Sequence, residues 1–116
     1  MSLQAVETTA PPVEFVFLFA PNNSGTTVLS QYLAQQLDGY LPPFGNNEGQ
    51  FDPRVRREMR RKPWNPRRQF DWPHIRTVWS RRARKAGKAT FVEGSPPNLV
   101  RMDAILSEFA PCRAVV

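Results

Sequence analysis

The chain has 116 residues, 41% of them hydrophobic, with eight Phe, three Trp, two Tyr, one Cys, one His and a net charge of +6. That length fits one domain and that apolar fraction a packed core, while a single Cys and a single His exclude a disulfide framework and a multi-cysteine zinc site, so no metal is expected. The charge is uneven: residues 54–88 hold 14 of the 16 Lys and Arg against only Glu58 and Asp71, a local balance of +12, and the rest of the chain carries two bases and eight acids, a balance of −6.

In chain order, residues 1–12 read as a loose polar tail and 13–116 as the globular part. Val13 to Ala20 (VEFVFLFA) is nearly continuously apolar, the pattern of a strand covered on both faces of a parallel sheet. The run PNNSG breaks regular structure, and Thr26 to Leu37 (TTVLSQYLAQQL) follows as an amphipathic helix with Val28, Leu29, Tyr32, Leu33 and Leu37 as its expected inner face. Asp38 to Asp52 is a loop rich in Pro, Gly and Asn, with a short strand expected near Leu41–Gly45. The basic segment predicts a short helix at Arg54–Arg61, a Pro-interrupted stretch to Pro73, and a second helix at His74–Ala86 closed by Gly87. Ala89 to Glu93 reads as a buried strand. Asn98 to Phe109 reads as a helix with Asn98 as N-cap and Leu99, Met102, Ile105, Leu106 and Phe109 turned inward, and Cys112 to Val116 begins a third strand.

This order argues for an α/β fold: a partial parallel sheet with right-handed crossovers and a basic helical insert at 54–88. Three or four strands are fewer than the roughly five or six of a typical sheet, so the chain reads as the first part of an incomplete three-layer domain. The longest apolar run, residues 15–20, is far short of the ~20 residues of a membrane span. The amino terminus has neither the basic start nor the apolar stretch of a secretory signal, and the cytoplasm is the expected compartment.

The loop 20-APNNSGTT-27 lies where a nucleotide-binding α/β protein places its phosphate cradle. Such a cradle needs backbone N–H groups converging on one hollow, a Gly that lets the backbone approach, and a helix N-terminus that favours an anion. Gly25 supplies the approach, and the amides of Gly25, Thr26, Thr27 and Val28 with the two Thr hydroxyls supply donors. Against the pattern G-x-x-x-x-G-K-[ST], Ala20 replaces the first Gly and Thr26 the Lys, which disfavours an ATPase or GTPase. A capped turn is the plain alternative.

Strand-P-x-x-S-G-T-T-helix resembles the 5′-phosphosulfate loop of sulfotransferases that use 3′-phosphoadenosine 5′-phosphosulfate. The stretch 92-VEGSPPNLVRMDAILSEFAPCRAVV-116 is similar to the same family's strand, E-K-S-P segment, helix and following strand. The resemblance covers residues 14–37 and 90–116, with Asn47-Glu48-Gly49-Gln50 a weaker match between them. It implies a P-loop-like start, a co-substrate of 3′-phosphoadenosine 5′-phosphosulfate, and sulfuryl transfer to a hydroxyl on a small molecule or glycan. By position, Asn22, Asn23, Ser24, Gly25, Thr26, Thr27 and Val28 fall on the nucleotide-binding loop, and Glu48 falls where one branch of the family places the base. A base suits this chemistry because a hydroxyl is a poor nucleophile until its proton leaves. The plain reading of Glu48 is a solvated loop acid.

The sequence also departs from the family. Asn23 stands at the usual Lys or Arg position, Gly94 replaces the E-K-S-P lysine, and the residues that hold the 3′-phosphate fall after the strand beginning at Cys112. The resemblance therefore leaves catalysis by this length of chain open. Arg81, Arg82, Arg84 and Lys85 are read either as stand-ins for the missing cations, reaching the cofactor or a sulfated or carboxylated glycan, or as a solvated helix face. The alternative function is a small basic nucleic-acid-binding module using residues 54–88, with its Trp residues stacking on bases. Otherwise the Trp residues are expected to pack the insert onto the sheet, His74 to be a cap or surface residue, Arg101 and Arg113 to be exposed, and Cys112 to be a small core residue.

Overall fold

The computed structural model describes residues 12–21, 25–42 and 48–116. Expectations for residues 1–11, for Asn22, Asn23 and Ser24, for the side chain of Thr26 and for residues 43–47 lie outside those described. The elements are β1 (Glu14–Leu18), α1 (Thr26–Leu37), α2 (Pro53–Arg60), α3 (Trp72–Lys85), β2 (Thr90–Glu93), a 3-10 segment (Pro96–Arg101), α4 (Met102–Glu108) and β3 (Cys112–Val115). The three strands form a small parallel sheet of order β2-β1-β3, with Phe15 level with Phe91 on one side and Cys112 on the other. The fold is mixed helix and strand, compatible with part of an α/β domain.

Because successive strand residues point to opposite faces, β1 feeds two clusters. Phe15, Phe17 and Phe19 enter the larger one, with Trp72, Ile75, Trp79 and Ala83 of α3, Ile105 of α4, and Phe91 and Phe109. Trp79 stacks on Phe91 and Phe109 at centroid distances of 5.1 and 5.6 Å. Val16 and Leu18 enter the smaller cluster, with Val92 and the α1 residues Leu33, Ala34 and Leu37. A continuous apolar run was thus the right signal for a strand covered on both faces.

The helix ends follow ordinary capping chemistry. Asp52 accepts from the amides of Arg54 (2.9 Å) and Val55 (3.1 Å) ahead of α2, and Asp71 accepts from the His74 amide (3.2 Å) ahead of α3. In both, a proline occupies the first turn, where its missing N–H costs nothing.

Three expectations need correction. The inner face of α1 is Ser30, Leu33, Ala34 and Leu37, while Val28, Leu29 and Tyr32 are 72, 39 and 57% exposed. Small residues face the sheet because α1 runs close to it: a Cβ on Gly94, just after β2, would lie 3.1 Å from Ser30 Oγ. Asn98 does not cap an α-helix but sits inside the 3-10 segment, its amide bonding Ser95 O at 3.0 Å, the α-helix begins only at Met102, and Leu106, expected to turn inward, is 37% exposed. Arg101 is 3% exposed rather than on the surface, its guanidinium donating to the carbonyls of Pro63 (2.6 Å), Asn65 (2.9 Å), Arg68 (2.9 Å) and Pro97 (3.1 Å) and lying over Phe70. Arg113 is exposed, 3.5 Å from Glu14, and Cys112 is half-buried beside the larger cluster.

Candidate functional site

In an open parallel sheet, ligands lie beyond the carboxyl ends of the strands, where successive connections leave in opposite directions. Here β1 is that central strand, since the chain goes from it to β2 on one side and then crosses to β3 on the other. The features described next lie past the carboxyl ends of β1 and β2.

Gly25 is the N-cap of α1, at φ 84° and ψ 14°, in the left-handed region that favours glycine. It makes no side-chain cap, no acidic residue follows in the first turn, and its carbonyl accepts the Leu29 amide at 3.2 Å. The first amides of any helix have no intrahelical acceptor, so Thr26, Thr27 and Val28 offer donors to an incoming group. Thr27 is half-buried and Val28 exposed.

The other half of the site is built around Glu93, at the last position of β2 and fully buried. Its Oε1 accepts the Gly49 amide at 2.6 Å, and its Oε2 accepts the Asn98 side-chain amide at 2.7 Å and the Ser95 amide at 3.2 Å. Burial pushes the Glu93 carboxyl above its ordinary value, and the bonds from Ser95, Gly49 and Asn98 pull part of that back.

Gly49 is held from its other side as well, because Trp79 Nε1 donates to its carbonyl at 2.7 Å. A Cβ at Gly49 would sit 2.7 Å from the Trp79 ring, so only glycine fits. The flanking residues are fixed in consequence. Gln50 is 4% exposed and donates through Nε2 to Glu48 Oε1 (3.0 Å) and Ser95 Oγ (3.3 Å), while its Oε1 accepts from Arg60 Nε at 2.8 Å.

Glu48, flagged in the sequence as a candidate base, is therefore not a freely solvated loop acid. It is half-buried, its carboxyl raised above the ordinary value by loss of water and partly restored by the Arg60 charge. It opens onto a cleft of about 200 Å³ lined by Gln50, Met59, Arg60, Pro63, Trp64, Pro96 and Pro97. Arg101 anchors the 63–68 turn that carries Trp64, which is 44% exposed and lines that cleft.

No family model, no curated protein and no solved structure matches this chain.

The structure links α1 to the Glu48 cleft through Ser30, Gly94, Glu93 and Gly49 in turn. A Cβ at Gly94 would lie 3.1 Å from Ser30 Oγ and 3.8 Å from the Leu18 Cβ, so a side chain there would require Ser30 to shift by a few tenths of an ångström. Arg60 is the guanidinium that lines the cleft. The basic end of α3 lies elsewhere. The Lys88 amide bonds Ala83 O, and Ala89 O accepts the Glu14 amide at the start of β1, so α3 finishes at the edge of the sheet opposite Gly25.

Sequence reasoning missed Glu93, Trp79 and Arg101 as organisers of the site. Only Gly49 between two polar residues hinted at a constrained turn; nothing local shows that Trp79, thirty residues on, forbids a side chain there.

Among the described residues no helix is long and apolar enough to cross a membrane, and no cluster of His, Cys, Asp and Glu could hold a metal ion.

Proposed function

We infer that the chain is a sulfotransferase-like α/β unit of three-layer type, with a P-loop-like start, that moves a sulfuryl group from 3′-phosphoadenosine 5′-phosphosulfate to a hydroxyl. The reading rests on the sequence resemblance, and one structural observation supports it above others. A left-handed Gly25 opens α1 immediately past the central strand, and Glu48 is held in a cleft at the same edge of the sheet. In this reading the amides of residues 25–28 hold the 5′-phosphate of the donor, with Ser24 and the threonine hydroxyls as further donors.

In the transfer step the acceptor oxygen forms a bond to sulfur as the bond between sulfur and the phosphate oxygen breaks. Adenosine 3′,5′-bisphosphate leaves with that electron pair, and the acceptor proton passes to Glu48. A carboxylate raised above its ordinary pKa is a stronger base than a solvated one, provided it remains ionised, and Arg60 favours the ionised form. Trp64 and three prolines give the cleft an apolar wall for a small molecule or a sugar ring, and Arg60 and Gln50 give it polar partners.

Calorimetric titration of the full chain with adenosine 3′,5′-bisphosphate tests the reading. Saturable micromolar binding that Gly25→Val abolishes supports it; no binding to the folded wild type overturns it.

A further inference from the structure

The sulfuryl-transfer reading leaves the basic segment unused. On α3, Trp72, Ile75, Trp79 and Ala83 point into the core, and Thr77, Ser80, Arg81 and Arg84 follow the i, i+3, i+4, i+7 spacing of one outer stripe. With Arg76 they line an open cleft of about 330 Å³ that, among the described residues, has no carboxylate and no aromatic ring in its wall. Arg76 is fixed there by donating to Glu108 O at 2.7 Å and by lying over Phe15 and Phe109. On the other side of Arg81, Arg82 and Lys85 carry the charge round to a second cleft of about 210 Å³ with Phe51, Asp52 and Val78.

Arg76, Arg81 and Arg84 bring three guanidinia to one cleft beside the Thr77 and Ser80 hydroxyls, a lining complementary to an anionic ligand. Guanidinium forks with neighbouring hydroxyls are the donor set that holds phosphate oxygens. Among the described residues nothing in the lining offers a flat ring on which a base or a sugar could stack: Trp72 and Trp79 are buried, and the Phe51 ring lies under Arg82 at 4.4 Å. Single-stranded nucleic acid depends on such rings, whereas a duplex is held through its backbone alone. The stripe from Thr77 to Arg84 spans about 10 Å of rigid helix, against a duplex that carries a charge every ~1.7 Å of its axis.

From this charge complementarity we propose that the outer face of α3 docks the phosphate backbone of double-stranded nucleic acid, without sequence readout, at the edge of the sheet remote from Gly25. The proposal stands independently of sulfuryl transfer.

Fluorescence anisotropy of a labelled duplex of about 20 base pairs with the full chain, between about 50 and 200 mM salt, tests it, with oligo-dT and a heparin fragment of equal length in parallel. With three to four cations engaged, the plot of log affinity against log salt has a slope of about −3. The double variant Arg81→Glu/Arg84→Glu, at exposed positions, weakens duplex binding more than about tenfold and flattens the slope by about 2. Arg81→Gln/Arg84→Gln falls between it and wild type, while Gly25→Val binds duplex as wild type does. Salt-insensitive binding, tighter binding of oligo-dT or heparin than of duplex, or charge-reversal variants that bind like wild type would each overturn the proposal.

Discussion

Replacing Glu93 tests how the Glu48 loop is held. Its carboxylate receives three donors in a site without water access: the amides of Gly49 and Ser95 and the side chain of Asn98. Truncation to Ala strands all three, at about 1–3 kcal/mol each, and the gain from no longer burying a carboxyl offsets part of that. The expected net loss is about 3 kcal/mol, a large share of the 5–15 kcal/mol that holds an ordinary domain together. Urea denaturation followed by Trp fluorescence measures it.

The pH dependence supplies a sign. The folded pKa of Glu93 is raised above 4.5, so the folded state binds the proton more tightly than the unfolded chain does. Its contribution is fully present below about pH 4.5 and is lost as pH rises through the folded value, at about 1.4 kcal/mol per unit of separation. Glu48 is raised as well and acts with the same sign, so the difference between wild type and Glu93→Gln isolates Glu93. Wild type should lose stability relative to Glu93→Gln as pH rises above about 4.5 and through the folded value. An Ala variant within about 0.5 kcal/mol of wild type, or parallel pH curves for wild type and the Gln variant, would refute the reasoning.

Gly49→Ala drives a methyl into the Trp79 ring and should cost about 1–3 kcal/mol, read as a lowered urea midpoint with unchanged slope. Arg101→Ala removes the donor from four carbonyl oxygens, of which Asn65 O keeps the Arg68 amide, and should cost about 3 kcal/mol while freeing the 63–68 turn, seen as increased amide exchange at Asn65 and Arg68. The Glu48 carboxyl should titrate above 4.5 by carbon-13 NMR, and Arg60→Gln should move it higher still; a midpoint at or below 4.5 contradicts the cleft as described.

Periodicity and turn chemistry made much of the fold legible. The run from Val13 to Ala20 gave the central strand, the helices expected from Arg54 and His74 begin within two residues of those positions, and the alternation of helix and strand gave a parallel sheet. What failed did so because tertiary contact overrode local pattern. The apolar count on α1 favoured Val28, Leu29 and Tyr32, but close approach to the sheet selects Ser30 and Ala34. Asn98 has the chemistry of a helix cap, yet a buried carboxylate five residues back claims its side chain. Arg101 looked like surface charge because its acceptors are backbone carbonyls more than thirty residues away, apart from Pro97. At the site, Glu48 and Gly25 were readable as residue types in a motif, whereas the clamp on Gly49 exists only once Glu93 and Trp79 meet it from opposite sides.

The most direct test of a phosphate-holding edge is an amide NMR map of the full chain titrated with adenosine 3′,5′-bisphosphate. The account predicts saturating shifts centred on Gly25, Thr26, Thr27 and Val28, with weaker ones at Gly49 and Gln50 and none along Thr77 to Arg84. Shifts confined to α3, or no saturable change at residues 25–28, would contradict it.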